Sequence, residues 1–195
     1  KAIPAPWRVA LPLMLTQDYR LLKAGEYTFA AGTTPAQAFD KIRRGAVVVH
    51  KLSIPEGWNR WQVRSALQNE PLLTGTLSDA PLEGSLLPDT MLFTRGEARH
   101  ALLARMQHAM QEWFAAAWAA RAPNDLIPTP QAALILASIV EKETGEPSER
   151  AMIAGVFLNR LRLGMKLQSD PTTVYGIEAA QDGVPLGRAL TRHDL

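Results

Sequence analysis

Two glutamates flanking a lysine, Glu141-Lys142-Glu143, with Thr144 directly after them, are the residues of this chain best suited to acid–base chemistry. A carboxylic acid that gives up a proton in the transition state and later takes one back can serve as a general acid near neutral pH. The helix that carries the pair separates its two members. Thr129-Pro130 starts that helix, threonine as the cap and proline at the first position. Gly145 and Pro147 stop it after about Thr144. At roughly 100° per residue, Glu143 falls on the stripe of Ala132, Leu136, Ile139 and Val140. Glu141 lines up instead with Leu134, Ala137 and Ser138, while Lys142 points between the two faces and can pair with Glu146. The periodicity thus carries Glu143 toward the core, in the last turn, where the helix dipole disfavours negative charge. Burial and dipole would both favour the protonated acid. Periodicity alone leaves a second reading open, a solvated helix end with ordinary surface glutamates.

Other chemistries find less support. There is no cysteine, which excludes disulfides and thiolate metal sites. His50, His100, His108 and His193 lack ligand spacing and no H-E-x-x-H occurs, so no metal is expected. No G-x-S-x-G elbow surrounds Ser138, and no glycine-rich phosphate loop is present. Hydrophobic residues make up 47% and charged residues 21%, the balance of a globular chain rather than a disordered one. The net charge of +2 is spread over scattered arginines interleaved with acids, which argues for a solvated surface and against nucleic acid as partner. No run approaches the roughly 18 apolar residues of a membrane span. The chain starts at Lys1 and stops at Arg192-His193-Asp194-Leu195, in what reads as the first turn of a helix, so both ends read as cut.

The elements around the glutamates follow from local signals. Pro6 to Leu15 is an apolar run broken by Pro12. Ala24 to Phe29 alternates after a glycine turn and predicts a strand. Thr33-Thr34-Pro35 starts a helix with Ala36, Ala38, Phe39 and Ile42 inside, ending at Gly45, and Ala46 to Ile54 predicts a second strand. Strand, helix and strand make a small unit up to residue 54. After the Pro55-Glu56-Gly57 turn, Asn59 caps a helix holding Trp61, Val63 and Leu67. Leu72 to Phe93 reads as irregular with short strands, and Asp89 there could cap or bind, a structural role being favoured. A long helix from about Glu97 to Arg121 carries Leu103, Met106, Met110, Trp113 and Ala117 as a core stripe. Ser148 caps another helix ending at Arg162-Leu163-Gly164, and Met165 to Leu195 reads as mostly loop.

Residues 137–176 make the sequence recognisable. They read A-S-I-V-E-K-E-T, then Glu149-Arg150, then N-R-L-R-L-G-M-K-L-Q-S-D-P-T-T-V-Y-G, and closely resemble the YceG-like family of endolytic murein transglycosylases. Leu22-Lys-Ala-Gly-Glu-Tyr-Thr-Phe29, Pro55-Glu56-Gly57 and Glu83-Gly-x-x-x-Pro-Asp-Thr90 fall in the family's order, so the resemblance covers nearly the whole chain. It implies an α+β fold: a small LysM-like domain, here residues 1–54, then a helix-rich α+β catalytic domain, here 55–195. It further implies an N-terminal membrane anchor and a C-terminal catalytic stretch that this chain lacks. The family's catalytic acid is the second glutamate of E-K-E, which maps onto Glu143. Thr144, following it, is expected to orient the carboxyl by hydrogen bonding. Met91 departs from the pattern, standing where many relatives place an aromatic residue that Phe93 can replace. Ser85-Leu86-Leu87 likewise replaces a more aromatic stretch.

The implied activity is cleavage of the glycosidic bond between N-acetylmuramic acid and N-acetylglucosamine in nascent peptidoglycan, leaving 1,6-anhydro ends and terminating glycan elongation. The implied place is the bacterial inner membrane, with the catalytic domain in the periplasm and peptidoglycan synthases as partners. Beside Thr144, the polar residues Asn159, Gln168, Asp170 and Tyr175 are candidates for binding sugar acetamido and hydroxyl groups; ordinary loop capping is the alternative, since Asp170-Pro171 also begins a turn. No cofactor is required. Two other readings remain, a non-catalytic peptidoglycan-binding or cell-wall assembly module and a pyridoxal-phosphate-dependent aminodeoxychorismate lyase. The latter needs a Schiff-base lysine and a phosphate cradle. Lys142 and Lys166 sit in unsuitable contexts for it.

Overall fold

The computed structural model describes residues 18–194. The apolar run from Pro6 to Leu15 lies outside them. After a short 3-10 turn, Asp18–Leu21, the segment from Ala24 to Phe29 is extended but is not a strand. It makes one backbone bond to its neighbour, from Val48 N–H to the Glu26 carbonyl at 2.8 Å. The Tyr27 hydroxyl instead donates to the carbonyls of Lys23 and Ile42. Alternation marks a half-buried segment, and a ladder needs a partner edge as well.

Helix α1, Pro35–Arg44, has the capping box its start predicts. The Thr34 side chain accepts from the Gln37 N–H, and the Gln37 side chain accepts from the Thr34 N–H. Strand β1, Val49–Ser53, is shorter than the valine-rich run. Helix α2, Arg60–Asn69, is boxed in the same way by Asn59 and Gln62. Strand β2, Thr90–Thr94, pairs antiparallel with β1, Val49 opposite Thr94 and Ser53 opposite Thr90. Among the described residues these two strands form the sheet, and helices make up the rest, an α+β arrangement.

Helix α3, Arg99–Ala120, lies against this sheet. Ile54, Val63, Leu67, Phe93, Leu102 and Met106 form the main core, with Leu73 and Leu77 closing one side. The expected stripe on α3 is correct only for its first half. Met106 and Met110 are buried and Leu103 is partly so, but Trp113 is 57% exposed and Ala117 is exposed. From Trp113 onward the helix outruns that core, and spacing buries a face only where something covers it. Arg99 is the unexpected core member. It is 8% exposed and its guanidinium donates to the carbonyls of Leu67, Gln68, Glu70 and Gly75. Carbonyls of the last turn of α2 and the chain just beyond are thereby satisfied from another helix.

The second packing unit consists of α4, Pro130–Glu143, α5, Arg150–Arg162, and α6, Asp170–Ala180. Thr129 caps α4 by accepting from Ala132 N–H at 3.1 Å. Ile139 and Val140 of α4 meet Phe157 of α5 in a small core flanked by Leu136, Ile153 and Leu167. Two expectations fail here. Ser148 caps no helix: Glu146 accepts from the Ser148 N–H and opens a 3-10 turn, Pro147–Glu149, that leads into α5. The segment after Met165 contains α6 rather than loop alone. Ser169-Asp170-Pro171 is a helix start, with proline and an acid in the first turn.

The two units are tied through α2 and α6. The Asn59 amide donates to Glu178, the rings of Trp61 and Tyr175 lie 5.9 Å apart, and Gly183 sits directly on the Trp61 ring. The Pro55-Glu56-Gly57 turn meets α4 at Glu141 and Lys142. The end of α4 and the start of α6 lie side by side, joined by the hydrogen bond between Ser169 and Glu143.

Candidate active site

Glu143 is the last residue of α4, and its side chain is exposed. That corrects the burial expected from the stripe. Ile139 and Val140 are covered by α5, but one turn later the same face leaves the core. What meets Glu143 there is a hydroxyl. Ser169 Oγ donates a hydrogen bond to Glu143 Oε1, and Ser169 itself is only 4% exposed. No described residue hydrogen-bonds to Oε2.

The neighbouring glutamate is occupied. Glu141 is the more buried of the two and pairs with Arg150 at the start of α5, 3.0 Å away. One carboxylate therefore braces the helical hairpin while the other faces out beside α6. Thr144 is 8% exposed, and its hydroxyl is also spent. It donates to Glu149 Oε2 at 2.7 Å and accepts from the Glu146 N–H at 3.0 Å. The orienting contact expected of Thr144 is made by Ser169.

The remaining candidates divide into two groups. Gln168 and Asp170 flank Ser169 and share its locality. Gln168 is exposed, with φ +53°, and its side chain accepts from Arg160 Nη1 at 3.2 Å. Asp170 is exposed in the first turn of α6. Tyr175 lies further along α6, 38% exposed, and its hydroxyl donates to Glu83 Oε2 at 3.0 Å. Partial burial, then the negative charge of Glu83 and the bond to it, hold that phenol above its ordinary value, with Arg60 opposing. Asn159, near the end of α5, accepts from Arg162 Nη1 at 2.6 Å and is exposed. The structure thus brings Ser169 to Glu143, with Gln168 and Asp170 as its chain neighbours, while Gln168, Tyr175 and Asn159 each bond to partners of their own.

Two residues within the quoted motifs, but not among the candidates drawn from them, hold the surroundings of Glu143. Arg160 Nη1 donates to the Leu167 carbonyl at 2.6 Å as well as to Gln168, so α5 clamps the loop that delivers Ser169. Glu83 accepts both from Tyr175 and from the Arg60 N–H, joining the 83–90 loop to α2 and α6. Among the described residues no group of histidines and acids is arranged to hold a metal. Two concavities, of about 390 and 320 Å³, lie beside α1 and between α3 and α4, and neither is lined by Glu143.

Comparison with known proteins bears on the whole arrangement. A profile described as the YceG-like family matches residues 2–195. The chain belongs to the YceG-like family. An endolytic murein transglycosylase of Streptococcus pneumoniae serotype 2 (strain D39) is 25% identical over 201 residues, covering 82% of this chain and 36% of that protein. An endolytic murein transglycosylase of Bacillus subtilis (strain 168) is 45% identical over 51 residues, 26% of this chain and 14% of that protein. The chain therefore spans about a third of the pneumococcal relative's length. A crystal structure of a yceG-like protein from Listeria monocytogenes superposes with a TM-score of 0.55 at 25% identity, covering 96% of this chain and 69% of that one. Among the described residues of this YceG-like chain, no helix is long and apolar enough to cross a membrane.

Proposed function

We infer that this chain forms part of an endolytic lytic transglycosylase that cleaves peptidoglycan strands, with Glu143 as its single catalytic acid. The observation that carries the reading is the state of the Glu143 carboxyl. It is exposed at a helix end, its Oε1 is taken by a buried hydroxyl, and its Oε2 is unengaged. The names of the relatives point to the same polymer.

The chemistry follows from one acid and a substrate that supplies the rest. Protonated Glu143 gives its proton to the oxygen linking N-acetylmuramic acid to N-acetylglucosamine as the C1–O bond breaks. The positive charge developing at C1 is met by the muramic acid's own N-acetyl group, the substrate-assisted alternative to a second carboxylate. Ionised Glu143 then takes the proton from the C6 hydroxyl as that oxygen bonds to C1, closing a 1,6-anhydro ring. The acid ends as it began, and no water is consumed. An exposed acid suits a long strand laid across the surface. Gln168, Asp170 and Tyr175 are the side chains we assign to the sugar, with Asn159 and the buried Thr144 supporting the ends of their helices.

The wider setting belongs to the same proposal. It comprises a LysM-like unit up to residue 54, a catalytic domain from residue 55, an anchor in the bacterial inner membrane, a periplasmic site, and synthases of the glycan as partners. The test is Glu143→Gln, which keeps the volume and removes the transferable proton. Glycan strands digested by both forms and separated by chromatography should show a loss of about 10²–10⁴-fold or more. Near-normal cleavage by the variant would overturn the assignment and favour a binding module.

A further inference from the structure

We propose that Ser169 is the positioning residue of the site. It holds the Glu143 carboxyl in one orientation and decides that Oε2 is the oxygen that carries the proton to the substrate. This rests on Glu143 being the acid.

Ser169 occupies the N-cap position of α6, with extended backbone, φ −102° and ψ 118°. A serine there ordinarily spends its oxygen on the N–H two or three residues further on. Here it makes no such bond. The second helical residue, Pro171, has no N–H to offer. The third, Thr172, turns both its N–H and its hydroxyl to the Ser169 carbonyl, at 3.1 and 2.6 Å. Neither position that a cap would serve therefore uses the serine side chain, and its hydroxyl proton goes to Glu143.

The serine is fixed from its other side as well. Gln168 before it sits at φ +53°, in a region that residues other than glycine rarely adopt. Arg160 holds that loop through the Leu167 carbonyl and the Gln168 side chain. A conformation of this cost persists where the surroundings over-determine it. A hydroxyl has one proton to donate, so the oxygen that receives it must act as acceptor. While Ser169 donates to Oε1, the acid proton resides on Oε2, on the open side.

The test uses the full-length protein with Ser169→Ala, Ser169→Thr and Glu143→Gln. Alanine should lower kcat by about 10- to 10²-fold with KM within about two-fold, the cost of a misplaced catalytic group. Threonine, which keeps the hydroxyl, should recover most of kcat. Side-chain couplings of isotope-labelled Glu143, measured by NMR, should report one rotamer in wild type and Ser169→Thr and averaging in Ser169→Ala. Full kcat in Ser169→Ala, equal losses in alanine and threonine forms, or a single Glu143 rotamer without the hydroxyl would each overturn the proposal. The rotamer result judges Ser169 whatever the reaction proves to be. Retained cleavage by Glu143→Gln would strike the acid assignment instead.

Discussion

Arg99→Met is the substitution whose cost the structure specifies most fully. Methionine fills much of the same space but removes donors that serve four backbone carbonyls. Leu67 has no exposed surface, so its carbonyl would stay unpaired, at about 1–3 kcal/mol. Gln68, Glu70 and Gly75 are near enough to the surface to regain water. Each of these three loses about the net value of an ordinary hydrogen bond, roughly 0.5–1 kcal/mol. The expected loss is about 2.5–6 kcal/mol, a large part of the roughly 5–15 kcal/mol that holds a typical domain. At this chain length it corresponds to a fall in Tm of roughly 5–24 °C. Urea titration followed by circular dichroism would measure it directly. Arg99→Lys should recover only a small part, because an ammonium is a point donor without the planar fork. A loss below about 1 kcal/mol, or full recovery with lysine, would refute the reasoning.

Two further substitutions probe charge. Glu141→Gln should keep most cleavage activity and change stability by less than about 1 kcal/mol, since its pair with Arg150 is partly solvated; a loss matching that of Glu143→Gln in digestion assays would mean that the two carboxylates act together. Glu26 is held below the ordinary carboxylate range, chiefly by the hydrogen bond from His50 and then by Arg95. A depressed carboxyl contributes stability above its unfolded value, and that contribution is lost as pH falls through the lower folded value. Melting temperatures of wild type and Glu26→Gln should therefore differ near pH 7 and converge in acid, and a constant difference down to about pH 2 would contradict the cause assigned.

The helix starts were the most legible part of the sequence. Thr34, Asn59 and Thr129 all cap where their residue types and spacing place them, because capping is a contact within one turn. Long-range partners were not legible. Nothing in Ala24 to Phe29 says that no neighbouring edge is available, and nothing in α3 says that the main core ends before Trp113. The site shows the same division. Periodicity put Glu143 and Ile139 on one stripe correctly, but the depth of that stripe depends on where α5 stops covering it. Thr144 was chosen for adjacency in sequence, whereas the hydroxyl that reaches the acid arrives from residue 169. The signal for it is present in Ser169 before Asp170-Pro171, a pair that reads as a turn start although it opens a helix. Arg99 and Arg160 act by donating to carbonyls of distant segments, and sequence spacing carries no record of such contacts.

The central claim, one acid and no water, is tested most directly by the products of cleavage in ¹⁸O-labelled water. Closure by the C6 hydroxyl predicts 1,6-anhydro muramyl ends, one water lighter than reducing ends and free of label, because solvent never attacks C1. Such ends should arise within long strands as well as at their termini. Mass spectrometry of the digest reads both properties at once. Labelled, reducible muramic acid as the main product would contradict the account even if Glu143 proved essential, and would point to a second carboxylate, with Asp170 beside Ser169 the first to replace.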